Sequence, residues 1–404
     1  MVFLYNIGIR LYFLAVYIAS FFNAKAKLWI NGRRRQQISA TDDCTWFHFA
    51  SLGEFEQGRP VLEALKIKDA GIKIVVTFFS PSGYEIRKNT PLADAVYYLP
   101  LDTAANARLF INTIKPQKAI FTKYEYWYHY FNELQQQQIP LYIVSGIFRP
   151  KQVFFKWYGS LHRNMLQMVT HFFVQDQASV NLLKSINITT ATVSGDTRFD
   201  RVWANASNPK TLPLIAEFKN KQKILIAGST WPEDEELLSI LISKHPDWKW
   251  IFAPHEIGEE RIAKLLNLLP YEGTIRYSQL KNNTQPIIGT RILVIDNIGM
   301  LSSLYQYGEV AYIGGGFGRG IHNTLEAAAF GLPVIFGPNY LAFKEARDIV
   351  ELKAGISISD AEQLTEASDL LMNDAEYRDF ASKKITAFVQ QNTGATENIL
   401  EAIG

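Results

Sequence analysis

The sequence predicts an α/β protein built from two doubly wound domains, and three observations carry that expectation. After Asp43, short β-branched and aromatic runs alternate with helix-like stretches, the pattern of strand–helix units on a parallel sheet. The alternation pauses at residues 203–213, WANASNPKTLP, a polar, breaker-rich stretch of the kind that links domains, and then restarts. With 404 residues, 48% of them apolar, the chain has material for two cores.

Residues 2–22 read VFLYNIGIRLYFLAVYIASFF, with Arg10 their only charge. That approaches the ~20 apolar residues a bilayer span requires. Trp29 and the cluster Arg33-Arg34-Arg35 follow, resembling an interfacial anchor with a positive flank. Each cation near anionic headgroups gains about 1 kcal/mol. The first 41 residues hold six basic groups and no acid, which leaves 35 basic against 39 acidic residues in the rest. Only the N-terminus is basic, so a membrane surface is the expected partner and nucleic acid is not. The arginines beyond Ala24-Lys25-Ala26 disfavour an exported signal peptide. The single cysteine, Cys44, excludes an internal disulfide framework and a Cys-rich zinc site, and fits a reducing compartment.

In the first half the strand patterns fall at 45–50, 73–79, 95–99, 118–123, 141–145, 171–174 and 191–194. In the second half they fall at 223–227, 248–253, 292–295, 310–313 and 333–336. The expected division is an anchor with basic flank at 1–35, one domain at 36–205 and a second at 206–404, whose last helix can return to the first domain. Doubly wound sheets bind ligands beyond the carboxyl ends of their strands, so function is expected in the loops that follow strands, facing a cleft.

Several chemistries lack their motifs. There is no Gly-Lys dipeptide for a phosphate-binding loop, no G-x-S-x-G elbow, no second histidine after His255-Glu256, and no D-x-D pair. A metal-free mechanism is favoured. The segment Gly314-Gly315-Gly316-Phe-Gly-Arg-Gly320 follows an apolar strand without matching G-x-G-x-x-G. Its glycines allow a ligand close to the backbone, and a helix start near His322-Asn323 would offer N–H groups to a phosphate. Glu326, one turn on, suits the hydroxyls of a ribose, and Lys344 opens another helix beyond the next strand. Ser229 and Thr230 follow the strand at 223–227, and His255 follows the one at 248–253, each facing the same ligand. In the first half Glu54, on the turn after the first strand, is the candidate general base, an effect worth roughly 10²- to 10⁴-fold. Ser82 and Gly83, Lys123 and Glu125, and Arg149 occupy the corresponding ends of later strands.

The ordered motifs S-L-G-E at 51–54, F-S-P-S-G at 79–83, Y-E-Y-W at 124–127, G-D-T-R-F-D at 195–200, A-G-S-T at 227–230, D-N-I-G-M-L at 296–301, G-G-G-F-G-R-G-I-H-N-T-L-E-A at 314–327 and F-G-P-N at 336–339 together resemble the Kdo transferases. These glycosyltransferase family 30 enzymes add 3-deoxy-D-manno-octulosonic acid (Kdo) to the lipid A precursor of Gram-negative bacteria. The resemblance implies a glycosyltransferase-B fold of two Rossmann-like domains with an N-terminal membrane-anchor helix. It implies CMP-Kdo as donor, lipid IVA as acceptor, inversion without metal or cofactor, and a place on the cytoplasmic side of the inner membrane. By the same resemblance Glu54 is the base and Glu125 lies near the reaction centre. Gly314 to Gly316, His322, Asn323 and Glu326 hold CMP, with Ser229, Thr230, His255 and Lys344 lining the donor pocket. Ser82, Gly83, Lys123 and Arg149 are the expected contacts for the acceptor or the donor carboxylate. Two departures stand out. Ala253-Pro254-His255 replaces the family's P-R-H, leaving Arg261 or Arg319 to supply the missing cation, and Ser145-Gly-Ile-Phe-Arg149 replaces N-A-R-L-S. The alternatives are another glycosyltransferase-B enzyme acting on a nucleotide sugar and a lipid, and a non-catalytic, membrane-tethered nucleotide sensor.

Overall fold

The computed structural model describes residues 1–123, 125–282 and 287–404. They form two compact units, one of residues 1–201 together with 393–404, the other of residues 202–392.

The first unit is a parallel sheet of β1 (Cys44–Phe49), β2 (Lys73–Phe78), β3 (Ala95–Tyr98), β4 (Pro116–Thr122), β5 (Leu141–Gly146), β6 (His171–Val174) and β7 (Ala191–Val193). The spatial order is β3-β2-β1-β4-β5-β6-β7, so the direction of winding reverses between β1 and β4. Every residue of β1 is buried, because helices cover both faces of the sheet. Trp46 packs with Phe110, Phe121 and Tyr130 on one face, and Phe49 with Phe55 and Phe78 on the other.

The second unit repeats the plan with β8 (Lys223–Thr230), β9 (Trp248–Pro254), β10 (Thr274–Arg276), β11 (Ile292–Val294), β12 (Val310–Ile313), β13 (Val334–Phe336) and β14 (Gly355–Ser357). Their order is β10-β11-β9-β8-β12-β13-β14, again with a reversal beside the first strand of the unit. β10 and β14, the two edges, were not among the expected strands; three residues each are too few to show a period. The polar stretch at 203–213 also differs from a plain linker. Its first half, rich in alanine, continues the helix Thr197–Ser207, and another helix starts at Pro213.

The chain's last helix, Ala395–Ile403, is part of the first unit. Ile399 and Ile403 complete the core around Phe55 and Phe78. Asp200 holds its start, accepting hydrogen bonds from Gly394 N, Thr396 N and Thr396 Oγ1, each at 2.6 Å. The second aspartate of the G-D-T-R-F-D motif is thus a clasp between chain segments far apart in sequence.

The leading apolar helix, Val2–Ala19, lies along the first unit. Tyr5 donates a hydrogen bond to the buried Asp102, and His129 Nε2 donates to Asn6 Oδ1 at 2.6 Å. Tyr12 and Phe13 meet the Trp29 ring at 6.0 and 6.3 Å. Phe3, Leu4, Leu11, Leu14 and Ile18, on the remaining face, are exposed, as are Phe21 and Phe22 beyond the helix end. In the second helix, Ala24–Arg35, Arg34 and Arg35 are exposed while Arg33 turns inward. Its guanidinium donates to the carbonyls of Leu99 and Phe79, both at 2.8 Å, and stacks 3.7 Å from the Trp29 ring. Only two of the three clustered arginines therefore face outward; burial pushes the Arg33 guanidinium down to about 9, and carbonyl oxygens take the place of headgroups.

Replacing Asp200 by Ala should cost about 1–3 kcal/mol in chemical denaturation, the range for losing a helix cap and charge-assisted hydrogen bonds. Amide exchange should rise in residues 395–403 before the rest of the first unit.

Candidate active site

In the first unit the expected residues gather beyond the carboxyl ends of β1, β2, β4 and β5. Glu54 sits in the first turn of the helix Leu52–Lys68, after β1. Its Oε2 accepts the Ala50 amide at 2.6 Å, which folds the carboxylate back over the strand end. Burial and the nearby charge of Glu125 push the Glu54 carboxyl up to about 7, against the opposing pull of the Ala50 amide and Lys123. A carboxyl poised near neutrality can take a proton at physiological pH and later release it.

Glu125 follows β4; Tyr124, the first residue of its motif, lies outside the described residues. Glu125 Oε2 accepts from Trp127 Nε1 at 3.0 Å and lies 3.1 Å from His48 Nε2. Trp127 stacks on Phe79 at 4.9 Å, and Phe79 contacts Tyr12 of the leading helix at 6.1 Å. Lys123 sits at the end of β4 with φ +58° and Ser145 at the end of β5 with φ +52°. Non-glycine residues in this left-handed region store strain of the kind found at functional sites. The Ser145 hydroxyl bonds Thr197 at 2.8 Å, while Arg149 is exposed. Ser82 is exposed, its hydroxyl 3.0 Å from that of Ser80. Gly83 is buried, and a Cβ there would lie 2.2 Å from the Phe78 ring, so its position is set by packing. Sequence reasoning passed over Asp196, which is buried, accepts from Gln57 Nε2 at 2.8 Å and pairs with Arg198 at 2.7 Å. Burial works to raise its carboxyl, but Arg198 and Lys123 outweigh that and hold it below the usual range. Its place in the G-D-T-R motif, two residues before an arginine, was the available signal.

In the second unit a cavity of about 540 Å³ is lined by Trp231, Asp234, Gly315, Phe317, Arg319 and His322 among others, so that Gly315 and His322 are the donor-pocket candidates on its wall. A Cβ on Gly314 would lie 2.3 Å from the Ser229 carbonyl, and one on Gly316 would lie 2.6 Å from Gly337. These glycines let three strand-end loops meet backbone to backbone. Asp234, not among the expected site residues, ties them together. Buried at the start of the helix Pro232–Ile242, it accepts from Trp231 N and Gly315 N at 2.9 Å and from Tyr312 Oη at 2.8 Å.

Ser229 adopts φ +54° and is partly exposed beside the cavity loop. Thr230 is buried and donates its hydroxyl proton to Glu235 at 2.7 Å. His255 stacks between Trp231 and His322, with centroids 4.9 and 4.4 Å away. Trp231 Nε1 donates to His322 Nε2 at 3.0 Å, which leaves the His322 proton on Nδ1. Burial and the neighbouring His255 push the His322 imidazole down to about 4, so it is a neutral donor at physiological pH. The helix expected near 322 starts at Leu325 and has four residues; Asn323 lies in the turn before it and accepts from Leu325 N at 3.1 Å. Asn323 Nδ2 also donates to Glu326 at 3.0 Å. Lys344 is exposed and pairs with Asp348 at 2.5 Å. Of the two candidate replacement cations, Arg261 is committed to the buried Glu235 at 2.5 Å, whereas Arg319 is exposed on the cavity wall.

Residues 25–201 match the family model described as 3-deoxy-D-manno-octulosonic-acid transferase (kdotransferase). The chain is 26% identical over 372 residues to a 3-deoxy-D-manno-octulosonic acid transferase of Haemophilus influenzae, covering 89% of this chain and 86% of that one. It is also 26% identical over 371 residues to the transferase of that name from Rickettsia bellii, covering 89% and 87%. In fold it is similar to the UDP-GlcNAc 2-epimerase of Neisseria meningitidis, with a TM-score of 0.60 at 15% identity over 88% of this chain and 98% of that one. The matches bear out the family resemblance carried by the motifs, and the two-sheet α/β architecture is of the glycosyltransferase-B kind.

Glu54→Gln should stabilise the protein above neutrality. A carboxyl whose folded value is raised to about 7 costs nothing where it is protonated in both states, and its full penalty above pH 7. The gain in unfolding free energy should therefore be absent near pH 4, grow through pH 5–7 and level at no more than ~3 kcal/mol, measured by denaturant titration across pH.

Proposed function

We propose, from the Kdo transferase resemblance that the comparisons bear out, that this chain transfers Kdo from CMP-Kdo to lipid IVA at the cytoplasmic face of the inner membrane. The observation that carries the mechanism is the carboxyl of Glu54, buried beside Glu125 and raised to about 7. Glu54 takes the proton from a sugar hydroxyl of the acceptor as that oxygen attacks the anomeric carbon of Kdo. A C–O bond forms on one face of that carbon, the bond to the phosphate of CMP breaks on the other, and the configuration inverts. The charge that develops on the departing phosphate is met by the neutral Nδ1–H of His322 and by the Arg319 guanidinium, at a glycine loop whose Gly314 and Gly315 amides are held by the Gly228 carbonyl and Asp234. Preorganised donors of this kind need not reorient during reaction.

Ser229 and His255 flank the donor, and Glu326, held by Asn323, turns toward the ribose; Thr230 supports that wall through Glu235. Lys344 opens the helix beyond the cavity. Lys123, Ser82, Gly83 and Arg149 form the acceptor side. The exposed apolar face of the leading helix enters the leaflet while Arg34 and Arg35 meet anionic headgroups. Its docking through Tyr5, Asn6 and Tyr12 favours a helix lying in the membrane plane.

Mass spectrometry of the lipid after incubation with CMP-Kdo, generated in the assay, and lipid IVA should show addition of Kdo. Glu54→Gln should keep CMP binding and lose transfer by roughly 10²- to 10⁴-fold, whereas Glu125→Gln should move the acid limb of the pH–rate profile to lower pH by removing the charge that raises Glu54. A folded, CMP-binding native protein that adds no Kdo to lipid IVA would overturn the acceptor assignment. Arg319→Ala should raise the donor KM about 10- to 100-fold, the cost of a lost charge-assisted contact, with little change in acceptor KM.

A further inference from the structure

Beneath Glu125 runs a line of buried polar groups that the proposed mechanism does not use. His48 and Thr77 are register partners on β1 and β2, and Trp46 lies two residues before His48, on the same face of β1. Trp46, His48 and Thr77 are fully buried. The Trp46 indole N–H donates to Thr77 Oγ1 at 2.8 Å, and Thr77 Oγ1 lies 2.8 Å from His48 Nδ1. At the far side of the ring, His48 Nε2 lies 3.1 Å from Glu125 Oε2. An indole only donates and a carboxylate only accepts. Consequently the His48 proton facing Glu125 is on Nε2, while the Thr77 hydroxyl has two acceptors within reach, His48 Nδ1 at 2.8 Å and the Phe47 carbonyl at 3.3 Å. The Phe121 ring, on β4, packs 4.8 Å from the imidazole and blocks its rotation.

We propose that His48 is a positioning residue that, anchored by Thr77 and Trp46, holds the Glu125 carboxylate where it acts on Glu54. This rests on the reading of Glu54 as the base. A glutamate side chain has three rotatable bonds and much freedom to lose on being fixed. Glu125 is fixed by two N–H donors, His48 and Trp127, that converge on the single atom Oε2, leaving Oε1 for the reacting groups. Trp127 follows in the same loop and moves with it, whereas His48 is embedded in the central strand of the sheet. The imidazole therefore references the loop carboxylate to the rigid core, as outer partners do for ligands in preorganised sites. Among the described residues, the other ionisable groups facing the pair are Lys123, which acts on Glu54, and Tyr12 of the leading helix, which faces Glu125.

The test is an infrared titration of the full chain in detergent without substrates, following the protonated-carboxyl band assigned to Glu54 by its loss in Glu54→Gln. Glu125→Gln should lower the Glu54 midpoint by about one pH unit, equivalent to roughly a tenfold change in proton affinity. His48→Phe, which keeps the ring and removes both hydrogen bonds, should lower it in the same direction by releasing Glu125 from its place. His48→Gln, whose amide can replace the Nε2 donor, should leave it near the native value. In the Glu125→Gln background His48→Phe should add no shift, since a group acting through Glu125 has nothing left to act on. Thr77→Val tests the far end of the line and should give a smaller shift in the same direction, which keeps the proposal testable if His48→Phe does not fold. An unmoved midpoint in folded His48→Phe or Thr77→Val, or an equal shift with and without Glu125, overturns the proposal. The readout is independent of turnover: absent Kdo transfer with this titration pattern intact would refute the transfer reading and leave the positioning role standing.

Discussion

Two carboxylates held side by side at the edge of a buried sheet set the conditions for the rest of the first unit. Glu54 follows β1 and Glu125 follows β4, and these strands are direct neighbours in parallel register. Parallel pairing brings the ends of β1 and β4 to one edge, and the winding reversal between them opens a crevice there. Separating the two negative charges would relieve Glu54, but the Ala50 amide holds one carboxylate and the His48 and Trp127 donors hold the other. Burial is the larger cause that raises Glu54 toward neutrality and the fixed Glu125 charge adds to it, so stability is given up locally for proton affinity.

The second unit solves a different problem with a similar device. A glycine loop that must lie against two other loops gains space by lacking side chains but loses rigidity. Asp234 supplies the rigidity, since one buried carboxylate gathers two loop amides and a tyrosine hydroxyl. Burial raises its carboxyl and those three donors oppose the rise. The Trp231–His255–His322 stack extends the same wall with flat rings, one of them locked in a single tautomer. The cavity wall thus carries neutral ring donors together with the exposed Arg319.

The leading helix joins these themes to an exposed apolar surface. Its docked stripe carries Tyr5, Asn6 and Tyr12, and Tyr12 leads through Phe79 to Trp127 and so to Glu125. Aromatic contact thus runs without a break from an exposed apolar surface to a candidate catalytic loop. Arg33 explains why the second helix keeps its orientation: its planar guanidinium satisfies two strand-end carbonyls while stacking on Trp29, a combination a lysine could not reproduce.

The amino-acid sequence by itself determined the α/β class, all but two of the fourteen strands among the described residues and the loops that hold Glu54, Glu125 and the Gly314 segment. Each of those is a local pattern: an apolar run of strand length, a glycine cluster, or an acid placed just after a strand. Tertiary structure alone decided that Arg33 faces inward, that Thr230 spends its proton on Glu235, that Asp200 clasps the last helix, and that Asp234 and His48 stand behind the candidate site residues. In those cases the partner is a backbone group or side chain from a distant segment, and its identity depends on strand order and register. A buried polar group is defined by what satisfies it, and that partner exists only once the sheets have formed.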